Sequence, residues 1–185
     1  SDRTAGIKPA ADEGSFYLKL YNAETSNTVP KNFKLVVEAV SRDWNEGDGL
    51  DLENYKDTGV SNWISASDGV EWTTAGGDYH ALPTFEQTFE TGLEDLEIDI
   101  STLVEQWIAG SKTNYGLGVR LTSSLETATD SYYTKRFFAR GTQYFFKKPV
   151  IEARWNSSIQ DDRGDFYPSS SLAPAADNLN TLYLY

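Results

Sequence analysis

Residues 96–121 read LEIDISTLVEQWIAGSKTNYGLGVRL, and they decide the fold class. Leu96, Ile98 and Ile100 alternate with Glu97 and Asp99, the period of a strand with one apolar face. Then the period changes. Leu103, Val104, Trp107 and Ile108 recur at helical spacing and predict a short helix with these four on its buried face. Ser101 or Thr102 is the expected N-cap, with Glu105 three residues after Thr102 as the capping-box partner, and Gly110 is the expected stop. Asn114 and Gly116 read as turn residues, because Asn and Gly accept positive φ at low cost. Leu117, Val119 and Leu121 then return to a period of two.

Outward from this stretch the chain reads as strands. Phe16–Tyr21 (FYLKLY) and Phe33–Val40 (FKLVVEAV) look like an antiparallel hairpin with a long loop, and Phe85–Phe89, Tyr132–Ala139 and Pro149–Trp155 follow as further strands. At least seven strands and one short helix predict an all-β, antiparallel β-sandwich. Asp43–Tyr79, rich in Gly, Asp, Asn, Ser and Trp, is expected to form loops and short strands over one end. Residues 1–14 mix Gly, Ala, Pro and charge without a period and predict an N-terminal arm, which leaves 15–155 for the sandwich. Residues 156–185 form a polar linker ending in TLYLY. There Leu182 and Leu184 fall on one face and Tyr183 and Tyr185 on the other, as expected of a strand that docks where a neighbouring domain or copy covers both sides.

Composition narrows the function. With 39% hydrophobic and 14% aromatic residues, the 185-residue chain can bury a core. Its 16 Lys and Arg against 28 Asp and Glu give a net charge of -12, which argues against nucleic acid and anionic lipid as partners. No apolar run reaches the roughly 20 residues that cross a bilayer, so membrane insertion is not expected. The absence of cysteine excludes disulfides, thiol catalysis and thiolate metal sites. The absence of methionine, and a last stretch that reads as a strand, predict a piece of a longer protein.

An Asp, a helix carrying a Trp, a Gly turn and an Asn-Tyr-Gly opening a strand stand here as Asp99, Trp107, Gly110, Asn114, Tyr115 and Gly116. Together with Phe16–Tyr21, Trp44, Trp72, FFAR and KPVIEARW, this pattern resembles the DNRLRE-type domains over about residues 14–155. The motif that names those domains and their first strands are missing here. The resemblance implies a jelly-roll sandwich related to carbohydrate-binding modules, found as an appendage of large cell-surface, secreted and bacteriophage structural proteins. Residues 156–185 resemble sequence of marine bacteriophage virion proteins, which implies a virion surface or extracellular location.

Among groups that could carry chemistry, the one histidine, His80, reads as a solvated loop residue, since a triad or zinc site would have to be built around it alone. No carboxylate pair is marked out for glycoside hydrolysis. In DWNEGDGLDLENYKD, Asp43, Glu46, Asp48 and Asp51 form an acidic loop that could hold a structural calcium ion, although the spacing is not that of an EF-hand. KRFFAR and KK, within residues 135–148, interleave cations with Phe137, Phe138, Tyr144, Phe145 and Phe146, as in a hairpin with aromatics inward and cations outward. Trp107 and Trp155 are expected in the core, whereas Trp63 and Trp72 in the irregular loop are the candidates for stacking on a sugar ring. The expected role is non-catalytic: a structural or assembly module, with glycan-binding adhesion as the alternative.

Overall fold

A computed structural model describes residues 13–26, 29–46, 59–129 and 135–155. Contacts divide the chain into Ser15–Ala153 and, separately, Ser1–Gly14 with Arg154–Tyr185; the fold described here is that of the first unit. Two three-stranded sheets carry it. In one, β1 (Gly14–Leu20) lies between β6 (Leu96–Asp99) and β8 (Val150–Trp155); in the other, β2 (Phe33–Val40) lies between β5 (Tyr79–Phe89) and β7 (Leu117–Leu121). A two-stranded ribbon, β3 (Ser65–Ser67) with β4 (Val70–Glu71), stands apart in the irregular region. The pairs β1–β6, β2–β5, β2–β7 and β3–β4 are antiparallel, which makes the protein mainly antiparallel β.

The alternation in sequence becomes the core. Leu18 pairs with Ile98 and Leu20 with Leu96, so the apolar faces of β1 and β6 coincide. From the other sheet come Phe33, Leu35 and Val37 of β2 and Phe89 of β5, and the two sets form one buried cluster with Ile100 and Val104. Phe33 stacks on Phe89 with centroids 5.2 Å apart. Burial of such side chains is the main favourable term in folding, at about 25 cal/mol per Å² of apolar surface.

Phe16–Tyr21 and Phe33–Val40 form no hairpin with each other: the two strands belong to different sheets. The reason lies in β2, which is buried at Val36, Glu38 and Val40 as well as on its core face. A strand buried on both faces suits the centre of a sheet with a neighbour on each edge, and β5 and β7 fill those edges. Pro83 sits in β5, where an edge strand tolerates a residue without an amide hydrogen.

Helix α1 spans Ser101–Ile108, and its N-cap is Ile100, not Ser101 or Thr102. Asp99 does the capping: its Oδ1 accepts the Ser101 amide at 2.9 Å. The Ser101 hydroxyl donates to the same Asp99 Oδ1 at 2.5 Å and accepts the Phe16 amide at 2.8 Å, so tying β1 to the helix start. Leu103 and Val104 are buried and Trp107 packs on the core, but Ile108, expected on the buried face, is 48% exposed. Gly110 closes the helix at φ 74, where a side chain would be strained. A single helical turn, α2 (Ser123–Glu126), follows β7, and a 3-10 turn covers Phe145–Lys147.

Three further expectations need correction. Of Tyr132–Ala139, the described part, 135–139, forms only an isolated bridge from Phe137 to Asn22. The hairpin of inward aromatics is replaced by a turn in which Phe145 is 72% and Phe146 87% exposed. Trp155, expected in the core, is 47% exposed at the end of β8, whose residues are mostly exposed. Among the described residues no helix is long and apolar enough to cross a membrane.

Candidate functional site

The outer face of the β5–β2–β7 sheet carries the densest polar chemistry. Glu38 faces Thr84 on β5 and Gly118 on β7, and it is buried to 7% exposure. Its Oε2 accepts two hydrogen bonds from Arg120, at 3.0 Å from Nε and 2.6 Å from Nη2, while Thr84 donates to Oε1 at 3.1 Å. A buried carboxylate held in this bidentate way is satisfied. Arg120 also lies 5.5 Å from the centroid of the Tyr79 ring. That ring rests on Gly118, where an added Cβ would collide with it, so the glycine makes the room for the aromatic. Burial raises the Tyr79 hydroxyl above its ordinary pKa of 10.0.

Beside this network lies an open cleft of about 660 Å³, lined by Glu38, Arg42, Asp78, Tyr79, His80 and Arg120 among others. Asp78 accepts the amides of Thr73 and Thr74, each at 3.0 Å, and faces Arg42 at 3.4 Å. The Thr73 amide is the chief cause holding its pKa below the ordinary carboxylate value. His80 is thus not a solvated loop residue: it is the second residue of β5, half-buried, and borders the cleft.

Gly77 and Tyr79 also border a second cavity, of about 220 Å³, with Trp44, Trp72 and Asn62 in its wall. Trp72 Nε1 donates to the Asn62 carbonyl at 2.8 Å and Trp44 Nε1 to the Tyr115 carbonyl at 2.6 Å, so both indoles are pinned by their polar ends and turn their rings toward the cavity. Trp63 is 60% exposed and leans on Gly76. The structure therefore separates the two tryptophans expected to meet a sugar: Trp72 lines the cavity and Trp63 stands outside it. Trp44, Tyr79 and the Glu38–Arg120 pair were missed by sequence reasoning. A glutamate within an apolar strand run, two positions from a valine on each side, is the signal that could have found Glu38.

The remaining expected residues fall elsewhere. Asn114 Oδ1 accepts the Gly116 amide at 3.0 Å, an Asx turn, and Gly116 takes φ 93 beneath Trp44. Asn114 does not itself adopt positive φ. In the acidic loop, Asp43 accepts the amide of Trp44 at 3.0 Å and Glu46 pairs with Arg140 at 3.1 Å, while Asp48 and Asp51 lie outside the described residues. Among the described residues no cluster of three or more His, Cys, Asp or Glu is placed to hold a metal ion. Leu182, Tyr183, Leu184 and Tyr185, the expected docking strand, also lie outside the described residues.

A third arrangement was not anticipated. Lys135 points inward: its ammonium donates to Asn22 Oδ1 at 2.8 Å, to the Gly92 carbonyl at 2.9 Å and to the Glu94 carbonyl at 2.6 Å. It lies 4.8 Å from the ring centroid of Phe89 and 5.0 Å from that of Phe137. Burial lowers its pKa. All three ammonium donors are used, so this lysine pins the loop after β5 to the segment after α2.

The sequence matches no family model, and no curated protein or solved structure is significantly similar to it.

Proposed function

We propose that this chain is a non-catalytic assembly module: a jelly-roll sandwich of the DNRLRE-type class, belonging to a larger virion or surface protein and docking on neighbouring domains or copies. One observation carries it. Tyr144, Phe145 and Phe146 are 53%, 72% and 87% exposed side by side, and contiguous exposed aromatic surface marks a contact surface. Val150 and Ile151, 42% and 45% exposed on the edge strand β8, add apolar area just beyond it. Hydroxyl-radical footprinting of the isolated chain, at a dilution that keeps it monomeric, and of the same chain in its native assembly tests the proposal. Phe145 and Phe146 are expected to be labelled in the first and protected in the second. Equal labelling in both overturns it.

A second reading, glycan binding, is favoured by the cavity of Trp44, Trp72 and Tyr79 that continues past Gly77 into the polar cleft. An aromatic wall beside paired charges offers stacking to a sugar ring and hydrogen bonds to its hydroxyls. Titration of tryptophan fluorescence against a panel of polysaccharides tests it; a flat response throughout removes it.

A further inference from the structure

Two stretches of equal length have opposite charge. Residues 135–148 carry Lys135, Arg136, Arg140, Lys147 and Lys148 and no acid, while residues 86–99 carry Glu86, Glu90, Glu94, Asp95, Glu97 and Asp99 and no base. In a chain of net charge -12, the first is a basic island with exposed aromatics and the second an acidic edge. The acidic edge runs from the end of β5 through a loop to β6, itself an edge strand, and Leu93 in that loop is 57% exposed. Each stretch therefore pairs charge of one sign with exposed apolar surface.

We infer that Tyr144–Lys148 of one copy docks on the acidic edge Glu86–Asp99 of a second copy of this chain. The inference rests on the assembly proposal and names its partner. Within a single molecule the basic stretch meets the acidic loop at its inner end, where Lys135 is held by the Gly92 and Glu94 carbonyls. Its outer end stays exposed: Lys147 lies over Phe138 and Tyr144, Lys148 over Phe145, and Arg140 pairs with Glu46 of the same chain. Among the described residues no carboxylate pairs with Lys147 or Lys148; a second copy supplies carboxylates for them and an apolar contact for Phe145 and Phe146. The donor patch and the acceptor edge are different surfaces, so the contact is head to tail, and every added copy presents one of each again. Rings or filaments follow, depending on whether the rotation closes.

Sedimentation velocity over a concentration series in low and high salt tests this, with three variants. Phe145→Ser with Phe146→Ser removes the apolar anchor; Lys147→Glu with Lys148→Glu makes the patch acidic; Glu86→Lys with Glu90→Lys takes the edge from -6 to -2 and makes its β5 end basic, with loss of the exposed Lys34–Glu86 ion pair. Five of the six positions are exposed and Lys148 is half-buried, and an unchanged thermal melt confirms that each variant folds. The parent is expected to self-associate, with a dissociation constant roughly tenfold or more larger in high salt. Each variant alone is expected to stay monomeric. An equimolar mixture of the two charge-reversed variants is expected to associate again, because each then offers what the other needs. A parent that is monomeric throughout, association indifferent to salt or to the variants, or a mixture that fails to associate overturns the inference. The footprint of Phe145 and Phe146 in the native assembly decides the assembly proposal independently, since that requires only that some surface cover them.

Discussion

Lys135 and Lys147 belong to one run of cations and aromatics, yet the first is half-buried with every ammonium hydrogen used and the second is exposed over the rings of Phe138 and Tyr144. Both lie 4.8 Å from a phenylalanine centroid. The ring contact therefore does not separate them. What does is the cradle of oxygens: Asn22, Gly92 and Glu94 supply three acceptors around Lys135, while among the described residues Lys147 meets the Phe138 and Tyr144 rings and no such cradle. Desolvating an ammonium is tolerable where hydrogen bonds replace its water, and a π face alone does not do that. The inner end of the segment is thus structural, and the outer end is left for a partner.

Four substitutions or conditions sharpen or break that contrast. Phe89→Ala removes the fully buried ring that stacks on Phe33 and carries Lys135, and it is expected to cost about 3–5 kcal/mol by chemical denaturation. Lys135→Met keeps the length and the apolar stem but leaves the three acceptors without the ammonium; a loss of about 2–3 kcal/mol is expected. A loss below about 0.5 kcal/mol would place Lys135 with Lys147, as a surface cation.

Acid tests the same loop from its other side. Glu94 accepts the Thr91 amide at 2.7 Å, the main reason its pKa falls from 4.5 to about 2. A carboxylate whose folded pKa is depressed stabilises the protein above its unfolded pKa, so this contribution is complete above pH 4.5 and is lost as pH falls toward 2. Thermal melts across that window should show the parent losing stability more steeply than Glu94→Gln. Parallel curves would mean that the loop is not held by this carboxylate. The smallest effect is expected at the outer end, where Lys147→Ala should change stability by less than about 0.5 kcal/mol, since exposed cation–π contacts are worth little. A larger loss would show that the turn is part of the fold and not a surface kept for docking.

Much of the framework was legible. Period-two alternation at Leu96–Ile100 and Leu117–Leu121, the helical spacing of Leu103, Val104 and Trp107, and the stop at Gly110 all depend on neighbours a few residues away, and they survive in β6, β7 and α1. The cap was misassigned because Asp99, Ser101 and Thr102 are all plausible there, and the choice turns on Phe16, whose amide claims the Ser101 hydroxyl from far along the chain. Of the site, Trp72 was legible as an aromatic in an irregular loop, but Trp44 and Tyr79 were not, because nothing local says which rings face the same cavity.

The sequence by itself determined that this is a mainly antiparallel β protein with a short helix before its β7 strand, acidic overall and with one basic aromatic island. Those properties follow from local periodicity and from charge, which need no partner to be read. Only the tertiary structure decided that β1 and β2 lie in separate sheets, that Glu38 is buried against Arg120, and that Lys135 turns inward while Phe145 and Phe146 turn out. Strand alternation says which face is apolar but not which strand lies alongside, and a cation beside an aromatic reads the same whether or not distant carbonyls wait to receive it.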